Sequence, residues 1–265
     1  MTWEPPDLGG RTYAVTGGNA GIGRFIVRRL AEAGADVLVL CRDAGNAAIR
    51  LDLADLDSVT AAATELSALP RLDGLVLNAG TNAGKLRLST RQGFELAMGT
   101  NHLGHFALTA LTMPVLTATP GSRVVSIGSI MTRAFAYDPD QRTYSPQKAY
   151  AQSKHAVLLF AFELDRRLRA SGADVRSLAA HPGLAVEGTP LPWPIQNKDR
   201  GALLAVRAAS DPDAQSCYGP KFGTAGTPVP VRPPRVSKHP GHAERLWTWS
   251  EQQTGVTFDL PAGTP

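Results

Sequence analysis

Short apolar runs alternate with stretches of helical periodicity through most of the chain, the pattern of βαβ units and a parallel sheet. Thr12–Thr16 predicts a first strand, followed by a helix from about Gly21 to Ala33 that Gly34 ends. Asp36–Leu40 reads as a buried second strand and Ala47–Leu51 as a brief third. Asp55 opens a helix that Pro70 closes. Asp73–Leu77 predicts strand four, about Thr90–Leu116 a long apolar-periodic helix, and Arg123–Ile127 strand five. Ser145-Pro146 predicts an N-cap followed by proline at the first helical position, opening a helix that runs to about Ala170. Ala173–Ala179 is a sixth strand. Beyond it proline and glycine cluster at 183–194 and 219–240, and a last helix spans about Ala243–Thr254, with Trp247 and Trp249 as packing anchors. The proline-rich run 227–235 reads as an extended excursion packed on its own domain in preference to a polyproline ligand.

At 265 residues the chain has the length of one α/β domain, and neither a repeat nor a second domain is visible. Hydrophobic residues make up 43% and charged ones 19%, as in a soluble enzyme. The net charge of +4 raises nucleic acid as a partner, but Lys and Arg are scattered, with no basic run or aromatic-interleaved patch. An anionic small molecule fits the surplus better. Two cysteines, Cys41 and Cys217, imply no disulfide framework. No leader of basic then apolar residues opens the sequence, and no apolar stretch is long enough to cross a bilayer. The expectation is a cytoplasmic protein with no metal site.

Gly17, Gly21 and Gly23 follow a strand and open a helix, the context in which glycines let a backbone approach a pyrophosphate at a helix N-terminus. Taken alone, the same spacing also makes a plain tight turn. At the end of strand two, Cys41-Arg42-Asp43 offers a guanidinium where a carboxylate would select NAD, so NADP is favoured and NAD is the alternative. Arg24 either adds charge near the same phosphate or is an exposed helical arginine. Tyr150 and Lys154 stand four apart, about one helical turn, which puts a phenol and an ammonium on one face. The cation is expected to pull the tyrosine pKa below roughly 10, giving a proton donor or acceptor near neutral pH. Tyr144 and Lys148 have the same spacing, but Pro146 leaves Tyr144 outside the helix, so the later pair is preferred.

Together these motifs resemble a short-chain dehydrogenase/reductase, with wording closest to a retinol dehydrogenase-like and protochlorophyllide reductase-like bacterial branch. Thr16-Gly17-Gly18-Asn19-Ala20-Gly21-Ile22-Gly23 resembles that family's cofactor turn, Asp52-Leu53 its adenine contact, and Asn78-Ala79-Gly80 the strand-four ending beside the cofactor. Asn101 within Asn101-His102-Leu103-Gly104-His105-Phe106, Ser129 after strand five, Tyr150 and Lys154 match the catalytic set, and His181-Pro182-Gly183 the turn over the nicotinamide. The resemblance implies a single Rossmann-type doubly wound parallel sheet flanked by helices on both faces, covering 1–265. Segments at about 184–198 and 219–240 would cover the substrate.

It further implies hydride transfer between a nicotinamide and an alcohol, ketone or aldehyde. Tyr150 would move the hydroxyl proton, Lys154 would lower its pKa and hold the nicotinamide ribose, Ser129 would bind the substrate oxygen, and Asn101 would position a water. Cofactor contacts would come from Gly17, Asn19, Gly21, Ile22, Gly23, Cys41, Arg42, Asp52, Leu53, Asn78, Ala79, Gly80, Tyr150, Lys154, Pro182 and Gly183. A proline- and tryptophan-containing loop at Leu191–Pro194 suggests an apolar substrate. Two departures stand out. Between Arg42 and Leu51 the chain is too short for the usual helix, and Met131–Gln147 is an insertion beside the site that would obstruct helix-mediated dimerisation, although a homo-oligomer stays open. Thr189 comes late for the expected threonine. A nucleotide-binding sensor without turnover and a double-bond reductase using the same residues are the other readings.

Overall fold

A computed structural model describes residues 3–43, 45–139, 143–187 and 195–260. In chain order the elements are β1 (Thr12–Thr16), α1 (Gly21–Glu32), β2 (Asp36–Cys41), β3 (Ile49–Arg50), α2 (Leu56–Ser67) and β4 (Gly74–Leu77). A short α3 (Leu96–Met98), a π-helical turn (Gly99–Leu103) and α4 (Gly104–Ala118) then run on as one helix. β5 (Ser122–Ile127), α5 (Met131–Ala134), α6 (Pro146–Ala170), β6 (Val175–Ala180), β7 (Ala185–Val186) and β8 (Gln196–Asn197) follow. The chain closes with α7 (Lys198–Ser210), β9 (Cys217–Pro220), β10 (Pro228–Pro230), a 3₁₀ turn (Arg235–Lys238) and α8 (Pro240–Thr254).

Eight strands form one sheet in the order β10-β9-β6-β5-β4-β1-β2-β3, parallel except for β10. Successive residues of a strand point to opposite faces, so the apolar runs feed two cores. Ala14, Leu75 and Val124 pack with α2, α4 and α6 through Val59, Phe106 and Phe160. Tyr13, Val76 and Val125 pack with α1 and α7 through Ile26, Leu30 and Ala205. Helices on both faces and a mostly parallel sheet make this a Rossmann-like α/β fold, as expected.

The predicted elements through β6 are present, with two notable changes. β3 has two residues instead of five. The long helix starts at Leu96, not Thr90. The Phe94 carbonyl accepts the Thr90 N–H at 2.8 Å, Gly93 turns the chain at φ 86°, and the Glu95 carboxylate caps Ala97 N–H and Met98 N–H. The apolar periodicity before Leu96 therefore belongs to a folded-back turn. Ser145 occupies the N-cap position of α6, but its hydroxyl donates to Gln147 Oε1 and does not cap. α7, β9 and β10 lie where no regular structure was expected. Pro228–Pro230 is a sheet-edge strand, the Val231 N–H bonding the Cys217 carbonyl, so the proline-rich run packs on its own sheet. Trp247 is buried while Trp249 is 37% exposed, so only the first is a packing anchor. Thr189 and Leu191–Pro194 lie outside the described residues.

Candidate active site

The strand order reverses between β1 and β4, and a crevice opens at their carboxyl ends, the switch point where α/β sheets bind ligands. Gly17 and Gly21 have φ 64° and 55°, conformations that a side chain resists. A Cβ on Gly23 would sit 2.1 Å from the Gly17 carbonyl oxygen, so the third glycine permits α1 to close against the turn. Asn19 is exposed and Ile22 half-buried on this lip. The N-cap residue Ala20 supplies no side-chain acceptor, and the first turn of α1 has no acidic residue. Its free N–H groups and glycine cradle therefore fit a dinucleotide pyrophosphate.

Arg42 is exposed at the end of β2, and among the described residues no carboxylate pairs with it. Cys41 beneath it is buried, its thiol donating to the Asp43 carbonyl, while Asp43 is taken up by Gly45 N–H and Asn46. Arg24 pairs with Glu187 at 3.7 Å on the surface. The Asp52 carboxylate accepts the Ala54 N–H, the Asp52 N–H donates to Ser58 Oγ, and Leu53 packs beneath Gly104. Asn78 donates to the Thr16 and Gly17 carbonyls, bracing the glycine turn from β4. The Ala79 N–H bonds Thr16 Oγ1 at 2.9 Å.

The four catalytic candidates come together beside this crevice. Ser129 is near enough to Tyr150 to act against the rise in its pKa, and the Met131 N–H donates to Ser129 Oγ at 3.2 Å. Lys154 Nζ lies 5.9 Å from the Tyr150 ring centroid and donates to the Ile127 carbonyl at 2.8 Å. Asn101 sits in the π-helical turn, where it accepts the Thr81 N–H and donates to the Thr81 carbonyl and Ser153 Oγ. A Cβ on Gly80 would be 3.1 Å from Asn101 Oδ1 and 3.7 Å from Lys154 Nζ, so both groups face the strand-four ending. Tyr144 stays outside α6, its hydroxyl donating to the Gly84 carbonyl, which leaves Tyr150 and Lys154 as the helical pair.

One electrostatic expectation is corrected. Burial raises the Tyr150 pKa, outweighing the Ser129 hydrogen bond that lowers it. Burial also lowers Lys154 to about 8. The amine is held against a backbone carbonyl and is itself desolvated, so the neutral phenol is the resting form. His181 is buried, pushed to about 4, and neither ring nitrogen has a protein partner. Pro182 and Gly183 follow it. A Cβ on Gly183, at φ 68°, would fall 2.1 Å from the Thr224 carbonyl oxygen, so the β9–β10 connection supports this turn. Thr16 and His105 were quoted only as motif wording and Thr81 and Ser153 not at all, because the contacts joining Thr16 to His105 and Asn101 to Thr81 and Ser153 link residues distant in the chain. The two-histidine wording around Asn101 was the available signal. A cleft of about 1200 Å³ opens on the neighbouring face of α6, lined by Met98, Tyr144, Gln152 and Trp249, but none of the four candidates lines it. Among the described residues no cluster is placed to hold a metal, and no helix is long and apolar enough to cross a membrane.

The short chain dehydrogenase family matches residues 11–199. The chain belongs to that family. This short-chain dehydrogenase is 38% identical to retinol dehydrogenase 13 of Homo sapiens, over 66% of its own length and 59% of the relative's. It thus spans less than two thirds of that relative. It is 35% identical to polyprenol dehydrogenase of Mus musculus, covering 95% and 86% of the two chains. A crystal structure of an uncharacterized protein from Mycobacterium paratuberculosis superposes with a TM-score of 0.84 at 39% identity, covering 98% and 100%. The Pseudomonas aeruginosa RhlG/NADP active-site complex superposes with a TM-score of 0.62 at 26% identity, covering 78% and 92%.

Proposed function

We propose that the chain is a cytoplasmic, NADP-dependent oxidoreductase acting at an alcohol or carbonyl carbon, with Tyr150 as general acid and base. The observation that carries this reading is the convergence of Asn101, Ser129, Tyr150 and Lys154 on one glycine-lined crevice. Neighbours solved with NADP, and Arg42 with no carboxylate partner among the described residues, favour the phosphorylated nucleotide, and the buried cysteines, free of disulfides, suit a reducing compartment. Relatives named retinol and polyprenol dehydrogenases support an apolar alcohol or aldehyde as substrate.

The glycine turn and the α1 N-terminus would hold the pyrophosphate, Arg42 the 2′-phosphate, and Lys154 the nicotinamide ribose. When bound, the nicotinamide supplies or accepts the hydride. Ser129 donates to the substrate oxygen as charge gathers there. Tyr150, resting as phenol, gives its proton to that oxygen during reduction and takes it back during oxidation. Asn101 holds the Thr81 backbone, keeping the wall of the crevice in place.

NADPH consumption with a panel of aldehydes, ketones and quinones tests the reading. Tyr150→Phe should lower turnover by about 10²–10⁴-fold while NADPH still binds. Arg42→Ala should weaken NADPH about 10–100-fold and leave NADH nearly unchanged, because the guanidinium bond to phosphate is charge-assisted. Wild-type protein that binds NADPH yet turns over nothing across the panel refutes the proposed chemistry. Equal losses for both nucleotides refute the NADP assignment.

A further inference from the structure

His105, four residues beyond Asn101, is 3% exposed, and both its ring nitrogens are engaged. Nδ1 lies 3.0 Å from the Asn101 carbonyl oxygen and Nε2 lies 2.9 Å from Thr16 Oγ1. A carbonyl oxygen only accepts, so Nδ1 carries the proton and Nε2 accepts from the Thr16 hydroxyl. Thr16 Oγ1 in turn accepts the Ala79 N–H. The three bonds run in one direction, from Ala79 through Thr16 and His105 to Asn101. They join segments far apart in the chain: the lip of the glycine turn, the strand-four ending and the π-helical turn. Burial and the charge of Lys154 keep the imidazole neutral, with its pKa at about 4, as this arrangement requires.

We propose that His105 is a positioning residue for the reaction assigned above. As the Nδ1–H tautomer it anchors the Asn101 main-chain carbonyl, and with it the π-helical turn, to Thr16 at the cofactor lip. It touches neither nucleotide nor substrate. Its effect passes through Asn101, whose side chain grips Thr81 and Ser153, and Ser153 Oγ donates to the Tyr150 carbonyl. Loss of the anchor lets the Asn101 turn, and the start of the Tyr150 helix with it, shift against the glycine crevice. A misplacement of about 1 Å costs on the order of 10²-fold in rate. Apolar packing does not explain two satisfied polar ends, since a leucine of similar size would serve there at lower desolvation cost.

This inference rests on the hydride-transfer reading, and the experiment separates the two. Steady-state kinetics with NADPH and the best carbonyl of the panel would compare wild type with His105→Asn, His105→Gln and His105→Leu. NADPH affinity would be measured for each. An asparagine amide reaches the Nδ1 position and can still donate to Asn101, whereas a glutamine amide reaches only the Nε2 position. The expected order of kcat is wild type, Asn, Gln, Leu. Leu should be lowered about 10–100-fold, with substrate KM and NADPH affinity changed less than about threefold. A purely volumetric role would instead favour Gln and Leu over Asn. Nitrogen-15 NMR of the folded wild-type protein should show a neutral Nδ1–H imidazole. An Nε2–H tautomer, or equal kcat in all three variants, overturns the anchor. If His105→Leu does not fold, the Asn-over-Gln order and the tautomer still decide. Wild type without turnover fails the reaction assignment instead, a distinct result, and the tautomer spectrum then decides whether the anchor exists.

Discussion

Lys154 shows how one residue's surroundings set its chemistry. The side chain is 5% exposed, and burial lowers its pKa from 10.5 to about 8. Between those values the unfolded chain holds a proton that the folded chain has released, so unfolding takes up a proton and stability rises with pH across that window. Below pH 8 both states are charged and the whole burial cost stands. Lys154→Met removes the group. The stability difference between the nucleotide-free variant and wild type should therefore shift in favour of wild type by roughly 3 kcal/mol from pH 8 to pH 10.5. Denaturant melts at the two ends of the window measure it, and a difference independent of pH rejects the lowered pKa. Spacing, with Pro146 leaving Tyr144 outside the helix, identified Tyr150 and Lys154 as partners, because four residues on a helix share a face whatever surrounds them. The direction of the Tyr150 shift was not legible, since desolvation comes from neighbours that the pattern does not name.

At the scale of elements, the helix carrying Asn101 is the most informative departure. Its apolar periodicity was read as starting at Thr90, but a tight turn and the Glu95 cap delay it to Leu96, and a π-helical turn interrupts it at Gly99–Leu103. Such turns widen the helix and recur at functional sites. α4 then leaves that turn with Gly104 pressed on the Leu53 backbone, where a Cβ would fall 2.4 Å from the carbonyl oxygen. Gly104→Ala should destabilise by about 1–3 kcal/mol, because backbone cannot yield as a side chain would. It should also disturb Asp52-Leu53, proposed to contact the adenine of the nucleotide. Urea denaturation checks the first effect and an NADPH titration the second. Wild-type stability in this variant would show that α4 tolerates a shift there. The glycine turn, by contrast, was legible to the residue, because positive φ at Gly17 and Gly21 is a local demand that the sequence must meet itself.

Across the whole molecule, α8 closes the face formed by α4 and α6. Trp247 stacks near Phe160 and lies 5.3 Å from Phe106 and 4.6 Å from Phe258, ring centroid to ring centroid. Its Nε1 donates to Glu251, and Arg167 covers the ring at 4.2 Å. His102, in the π-helical turn, meets Ser250 of α8 at 2.7 Å. The C-terminal helix is thus packed against the element that carries Asn101. Trp247→Ala should cost about 3–5 kcal/mol through the cavity it leaves. Loss of much less than this in thermal or chemical melts would mean that α8 is peripheral to the core.

The chain's own pattern settled the parallel sheet, the place of the glycine turn and the helical placement of Tyr150 and Lys154. Each follows from short-range rules: strand alternation, the φ freedom of glycine, and the pitch of a helix begun by proline. Folding alone decided that β9 and β10 extend the sheet, that the phenol rests protonated, and that His105 bonds Thr16, 89 residues away. Those outcomes depend on burial and on partners remote in sequence, and neither is written in any local window.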